Sequence, residues 1–138
     1  MNLGKRRYIG LDVGTVRVGV AISRGEYAHP YATYARANKV AERAILALIA
    51  EEAIEQLVAG MPLDQDNNRT TACEMVENFC NRLVKRSRIT VEYVDEYASS
   101  AEARQILEQR GERIEKESGK VDAIAAALIL QRFIDKKN

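Results

Sequence analysis

The chain has 138 residues, with 21 basic and 20 acidic side chains and a formal net charge of +1. That balance excludes the uniformly basic chemistry of a histone-like or tight nonspecific nucleic-acid binder, while leaving room for a local basic face. No apolar run approaches the roughly 18 residues of a membrane span and the N-terminus lacks a signal peptide's apolar core, so a soluble, cytoplasmic chain folding as one domain over residues 1–138 is expected. Cys73 and Cys80 lie two turns apart on a helical pattern, about 10 Å, too far for a disulfide. Reduced thiols follow. His29 is the only histidine, which leaves ordinary His/Cys zinc sites and histidine-based nucleophilic catalysis without a frame.

In chain order, residues 1–7 form a short basic lead. Tyr8 to Asp12 then reads as a strand buried on both faces, and Val16 to Ile22 resumes the β-branched pattern after a turn at Gly14-Thr15. Asp12 ends the first strand. A carboxylate there either closes an Asx-turn or faces a partner, since burying it unpaired is costly. Gly14 allows close backbone approach, and Thr15 and Arg17 are placed to reach an oxyanion. Ala28 to Ala35 is a third strand, held to a sheet edge by Pro30. Asn38 is the expected N-cap of a helix running to about Ala53, with Val40, Ala41, Ala44, Ile45, Leu48 and Ile49 as its apolar stripe. Gln56 to Ala59 is a short strand ending at Gly60-Met61-Pro62-Leu63, parallel to an earlier one through a right-handed crossover. The polar loop from Asp64 to Asn68 lacks the spacing of a calcium loop and reads as solvated.

A second long helix spans about Arg69 to Arg86, with Ala72, Met75, Val76, Phe79, Cys80, Leu83 and Val84 as its apolar stripe. Ile89 to Val94 is a fifth strand, ending in Asp95-Glu96. A Ser99–Glu102 capping box opens a short helix that Gly111 stops, and a charged loop follows to Lys120. The last helix begins near Lys120, with Val121, Ile124, Ala125, Leu128 and Ile129 as its buried stripe. Asp122 sits in its first turn, where it either complements the helix dipole or joins a site.

The order βββαβαβαα implies one mixed sheet: a three-strand antiparallel meander plus two parallel strands, flanked by helices. Asp12 and Asp95-Glu96 then fall at the C-terminal ends of parallel strands, the edge that holds the site in open α/β sheets. Asp122 enters from a helix start over that edge. Three carboxylates on one spot repel unless cations neutralise them, and an oxygen-only set suits Mg²⁺ or Mn²⁺ and metal-assisted attack of water on a phosphodiester.

Gly10-Leu11-Asp12-Val13-Gly14-Thr15-Val16-Arg17-Val18-Gly19-Val20-Ala21 resembles the opening signature of the YqgF/RuvX family of the ribonuclease H-like superfamily. Val58 to Leu63, Val94-Asp95-Glu96 and Lys120 to Gln131 resemble its later motifs, in order and over nearly the whole chain. The resemblance implies a ribonuclease H-like fold and a nuclease implicated in maturing the 5′ end of pre-16S ribosomal RNA, related to Holliday-junction resolvases. It carries the acidic site to Asp12, Glu96 and Asp122 as catalytic residues and metal ligands, with Mg²⁺ or Mn²⁺ as cofactor. Alternation sends Asp95 and Glu96 to opposite faces of the strand, and the resemblance favours Glu96 as the ligand. Thr15, Arg17 and Lys120 are the expected phosphate contacts. Expected partners are pre-rRNA or branched DNA and the small-subunit precursor, with no membrane, for a monomer or weak homodimer. The sequence departs from the family where Tyr97-Ala98 follow Asp95-Glu96 in place of an arginine. Two other readings stand beside this one. The Asp12-Val13-Gly14-Thr15 turn also resembles the phosphate-binding hairpin of actin-like ATPases, which clamp nucleotide between two such domains. A non-catalytic RNA-binding assembly factor retaining the fold is the other.

Overall fold

A computed structural model describes residues 6–96, 103, 105, 106, 108, 109 and 119–137. Among them the chain forms β1 (Tyr8–Val13), β2 (Arg17–Arg24), β3 (Tyr27–Ala35), α1 (Val40–Glu51), β4 (Gln56–Met61), α2 (Thr71–Ser87), β5 (Thr90–Asp95) and α3 (Lys120–Lys137). The capping box at Ser99, the departure at Tyr97-Ala98 and most of the charged loop before Lys120 lie outside the described residues.

The five strands form one sheet in the order β3-β2-β1-β4-β5. β1 pairs antiparallel with β2, and β2 with β3. β4 runs parallel to β1, and β5 parallel to β4. The two parallel strands arrive through helices, as a crossover connection requires. β3 is an edge strand, as Pro30 dictates. Its register with β2 shifts between Val20 and Ala21, which face Ala32 and Pro30 and leave Tyr31 as the extra residue.

Alternation along the strands sorts the core into two layers. Ile9, Leu11, Val18, Val20 and Leu57 face α1 and α2, where Ile45, Val76, Phe79 and Leu83 complete one cluster. Tyr8, Ala21 and Val58 face α3 and pack on Ala126, Ile129, Leu130 and Phe133. Cys73 and Cys80 are free and buried within α2, and burial pushes the Cys80 thiol up to about 12. It behaves as a small apolar core residue.

Two local expectations change. Asn38 does not cap α1: it has φ 56° inside a short 3₁₀ turn, and Lys39, also left-handed at φ 58°, takes the N-cap place without a side-chain bond. The chain must reverse direction within a few residues of β3, where the Arg36 N–H is held by the Val16 carbonyl. Asparagine's tolerance of the left-handed region serves that reversal. α1 also ends at Glu51, with Ala53 left-handed beyond it. The buried face of α3 is broader than the expected stripe, covering Ala123 to Ala127, Ile129, Leu130, Phe133 and Ile134. The helix crosses the sheet, and it also meets Ala103 through Ile124 and Ala125. A single stripe at helical spacing understates a helix enclosed from two directions.

Candidate functional site

Asp12 is the penultimate residue of β1. Leu11 and Val13 point into the α1/α2 layer, so alternation sends Asp12 to the α3 face. Its register partner on β2 is Gly19. A Cβ built on Gly19 would lie 2.0 Å from the Asp122 carbonyl oxygen. The missing side chain therefore lets the first turn of α3 rest directly on the sheet beside Asp12. The approach is fixed from the next strand as well, where Thr33, the partner of Gly19 on β3, donates its hydroxyl to the Gly119 carbonyl at 2.7 Å. Gly119 itself has φ +75°, a conformation that favours glycine.

Glu96 follows β5, and its N–H bonds the Met61 carbonyl at 3.2 Å. The absent Cβ of Gly60 on β4 gives it room: a Cβ there would come within 2.7 Å of Glu96 Oε2. Glu96 thus leans over β4 towards β1, and its carboxyl group meets that of Asp12 in a hydrogen bond. Asp95 is exposed and sits on the opposite parity of the strand.

Two carboxyl groups in contact need a proton or a cation between them. Burial, the Asp12 charge and then the shared hydrogen bond push Glu96 up to about 8. Asp12 is also raised, by burial first; the bond from Glu96 opposes that shift, and the nearby Asp122 charge adds to it. The two carboxyl groups therefore share one proton across that bond. No Asx-turn uses Asp12, because the hairpin is closed by the Gly14 N–H on the Arg17 carbonyl at 2.9 Å.

Asp122 stands close enough for its charge to act on Asp12, but its carboxylate is gripped by Arg17, with Nε donating to Oδ2 at 2.7 Å. The expected convergence of three carboxylates is therefore a pair plus a third held by an arginine. Among the described residues no three His, Cys, Asp or Glu side chains are arranged around one ion position. The donor chemistry is still that of a hard divalent cation: all oxygen, with a half-buried carboxyl pair whose shared proton such an ion can replace. Thr15 is exposed at the hairpin tip, and Lys120 is exposed at the start of α3. The Arg17–Asp122 pair and the Thr33–Gly119 clamp have no signature in the local sequence. The one available signal is the set of glycines at Gly10, Gly19 and Gly60, all on the α3 face of adjacent strands.

Residues 6–136 match the sequence pattern described as "RuvX: Holliday junction resolvase". The chain belongs to the RuvX family. Family relatives named "Putative pre-16S rRNA nuclease" include a Synechococcus elongatus protein, 33% identical over 94% of this chain and 89% of its own. One from Methylobacillus flagellatus is 39% identical over 92% of this chain and 89% of its own. Among solved structures, Thermus thermophilus RuvC in complex with a Holliday junction substrate superposes with a TM-score of 0.54, over 96% of this chain and 95% of that one. At 12% identity that likeness speaks for the fold, which is ribonuclease H-like. The RuvX family is thus one of Holliday junction resolvase-like nucleases, and Asp12, Glu96 and Asp122 all fall within the matched residues.

Proposed function

We propose that this RuvX-family chain is a divalent-metal-dependent endonuclease that cleaves phosphodiester bonds in the 5′ leader of pre-16S ribosomal RNA, in the cytoplasm. The observation that carries the reading is the Asp12–Glu96 carboxyl pair, brought together over β4 from the ends of β1 and β5, with Asp122 beside it. A half-buried acidic pair costs stability, and cation binding is the use that accounts for it. The names of the relatives support the RNA substrate.

Asp12 and Glu96 would hold Mg²⁺ or Mn²⁺, with Asp122 as the third ligand once Arg17 releases it. A bound ion of this kind supplies charge stabilisation at the phosphate and a more acidic water. The chain's own groups do the rest. Glu96 gives up the proton it shares with Asp12 as the site is charged. Arg17 would then turn to the scissile phosphate, whose two non-bridging oxygens suit its planar fork. Lys120, at a helix start, and Thr15, at the hairpin tip, flank the same edge and orient the backbone of the nucleic acid. The protein acts as a monomer or weak homodimer.

A second reading, cleavage of branched DNA, is favoured by the family description and by the DNA-bound RuvC neighbour. A cleavage panel of pre-rRNA leader, unstructured RNA and four-way DNA junction, each with EDTA or Mn²⁺, separates the readings. Mn²⁺-dependent cleavage of the leader alone is expected. Cleavage of the junction alone would move the chain to the DNA reading, and no cleavage of any substrate would leave a non-catalytic RNA-binding factor.

A further inference from the structure

A basic surface lies on the other side of the sheet from the acidic pair. From Asn78 to Val91 the sequence holds Arg82, Lys85, Arg86 and Arg88 and no acidic residue. In the fold this end of α2 meets the start of α1, where Lys39 and Arg43 are exposed. The single acid at the junction, Glu42, is 4% exposed. Arg82 Nε donates to its Oε1 at 2.8 Å, and Arg86 approaches Oε2 at 3.6 Å. The Arg82 bond is the largest influence holding the Glu42 carboxyl below its ordinary range. One buried carboxylate thus anchors two arginines whose side chains stay about half exposed, at 47% and 54%.

Aromatic contact fixes the cations further. The Arg36 and Arg82 guanidiniums lie 5.2 and 5.8 Å from the centre of the buried Phe79 ring. Arg36, Lys39, Glu42, Phe79 and Arg82 line a cavity of about 300 Å³. Arg82 engages Glu42 through Nε, which leaves its terminal amino groups out of that bond. Held in place before any partner arrives, these cations lose little side-chain freedom on binding. Arg36 also joins the patch to the site: its N–H bonds the Val16 carbonyl at 2.9 Å, and its Nη1 bonds the Gly14 carbonyl at 3.3 Å. Both acceptors belong to the hairpin that follows Asp12.

We propose that Lys39, Arg82, Lys85 and Arg86 form a second nucleic-acid contact surface, which holds the phosphate backbone of the substrate at a distance from the cleaved bond. The proposal rests on the nuclease reading for the identity of the polyanion. A chain with net charge +1 that gathers its cations on one preorganised face has a surface suited to regularly spaced phosphates. Nothing in the patch reads base edges, so the contact is independent of sequence.

The test is fluorescence anisotropy of a 20-nucleotide RNA with the wild-type protein and with Lys39→Gln/Lys85→Gln/Arg86→Gln, in EDTA, across a salt series. Circular dichroism checks the fold, and Lys39→Gln/Lys85→Gln serves if loss of Arg86 unsettles Glu42. Removing the cationic partners of three phosphates on a single strand lowers the slope of log affinity against log salt by about 2, and weakens binding roughly tenfold or more at about 0.1 M salt. The double variant lowers the slope by about 1.4. An unchanged slope with full affinity overturns the proposal and leaves the patch to an acidic protein. A wild-type protein that binds no RNA overturns it too. A lowered slope in a protein that cleaves nothing with Mn²⁺ keeps this surface and rejects the nuclease reading, while an unchanged slope in a protein that does cleave rejects this surface alone.

Discussion

At the scale of single residues, the site is governed by which carboxyl group carries a proton. The Glu96 group sits at about 8 against an ordinary 4.5. Between those values the folded chain holds a proton that the unfolded chain has lost. The resulting stabilisation is complete below about pH 4.5 and is lost as the pH rises through about 8. Melting temperature in EDTA should therefore fall between about pH 5.5 and about pH 8.5, and Glu96→Gln should flatten that fall. An equally steep fall in Glu96→Gln would place the proton elsewhere, whereas Asp95→Asn, which removes only the smallest of the influences raising Glu96, should shift the profile slightly. Asp122 behaves differently because of Arg17. Both partners are partly exposed, 33% and 25%, so losing the pair in Asp122→Asn should cost no more than about 1 kcal/mol in EDTA. That loss should disappear in an Arg17→Gln background. Additive losses in the double variant would mean the two side chains act independently. With Mn²⁺ present, wild-type protein should gain more in melting temperature than Asp122→Asn does, because a ligand is missing.

At the scale of elements, the site depends on how closely α3 lies on the sheet. Gly19→Ala places a methyl group against the Asp122 backbone, which cannot step aside as a flexible side chain would. Overpacking of this kind costs about 1–3 kcal/mol, and equilibrium denaturation should show a loss towards the upper end together with lost cleavage. Wild-type stability in Gly19→Ala would mean that α3 sits farther from β2. Thr33→Val, which keeps the shape and removes the hydroxyl bond to Gly119, should cost about 1 kcal/mol. The strand order, the parallel pairing and the two long helices were legible in the sequence because each follows from period, turn residues and crossover rules. The strand-end positions of Asp12 and Asp95-Glu96 were legible for the same reason, but which of the two acids turns to the α3 face is decided by the register of β5 on β4. The Arg17–Asp122 pair was not legible, because it joins residues 105 positions apart and no local pattern records such a contact. Asn38 misled because one residue type serves both helix caps and left-handed turns, and only the path from β3 into α1 decides between them.

At the scale of the whole molecule, charge is divided between the two faces of the sheet. The α3 face holds the acidic site, with Arg17 and Lys120 at its border. The α1/α2 face holds the basic patch around Glu42. Arg36 runs between them, from Phe79 to the hairpin carbonyl of Gly14. None of the described helices is long and apolar enough to cross a membrane. The central claim is that the Asp12–Glu96 pair is a cation seat kept closed by one shared proton. Titrating Mn²⁺ into weakly buffered protein at about pH 7, with calorimetry and a pH electrode read together, tests it directly. Binding should release about one proton per ion in the wild type, as expected where a ligand must be deprotonated, and both heat and proton release should vanish in Asp12→Asn. Mn²⁺ binding of equal strength in Asp12→Asn, or binding by the wild type with no proton released, would contradict the account.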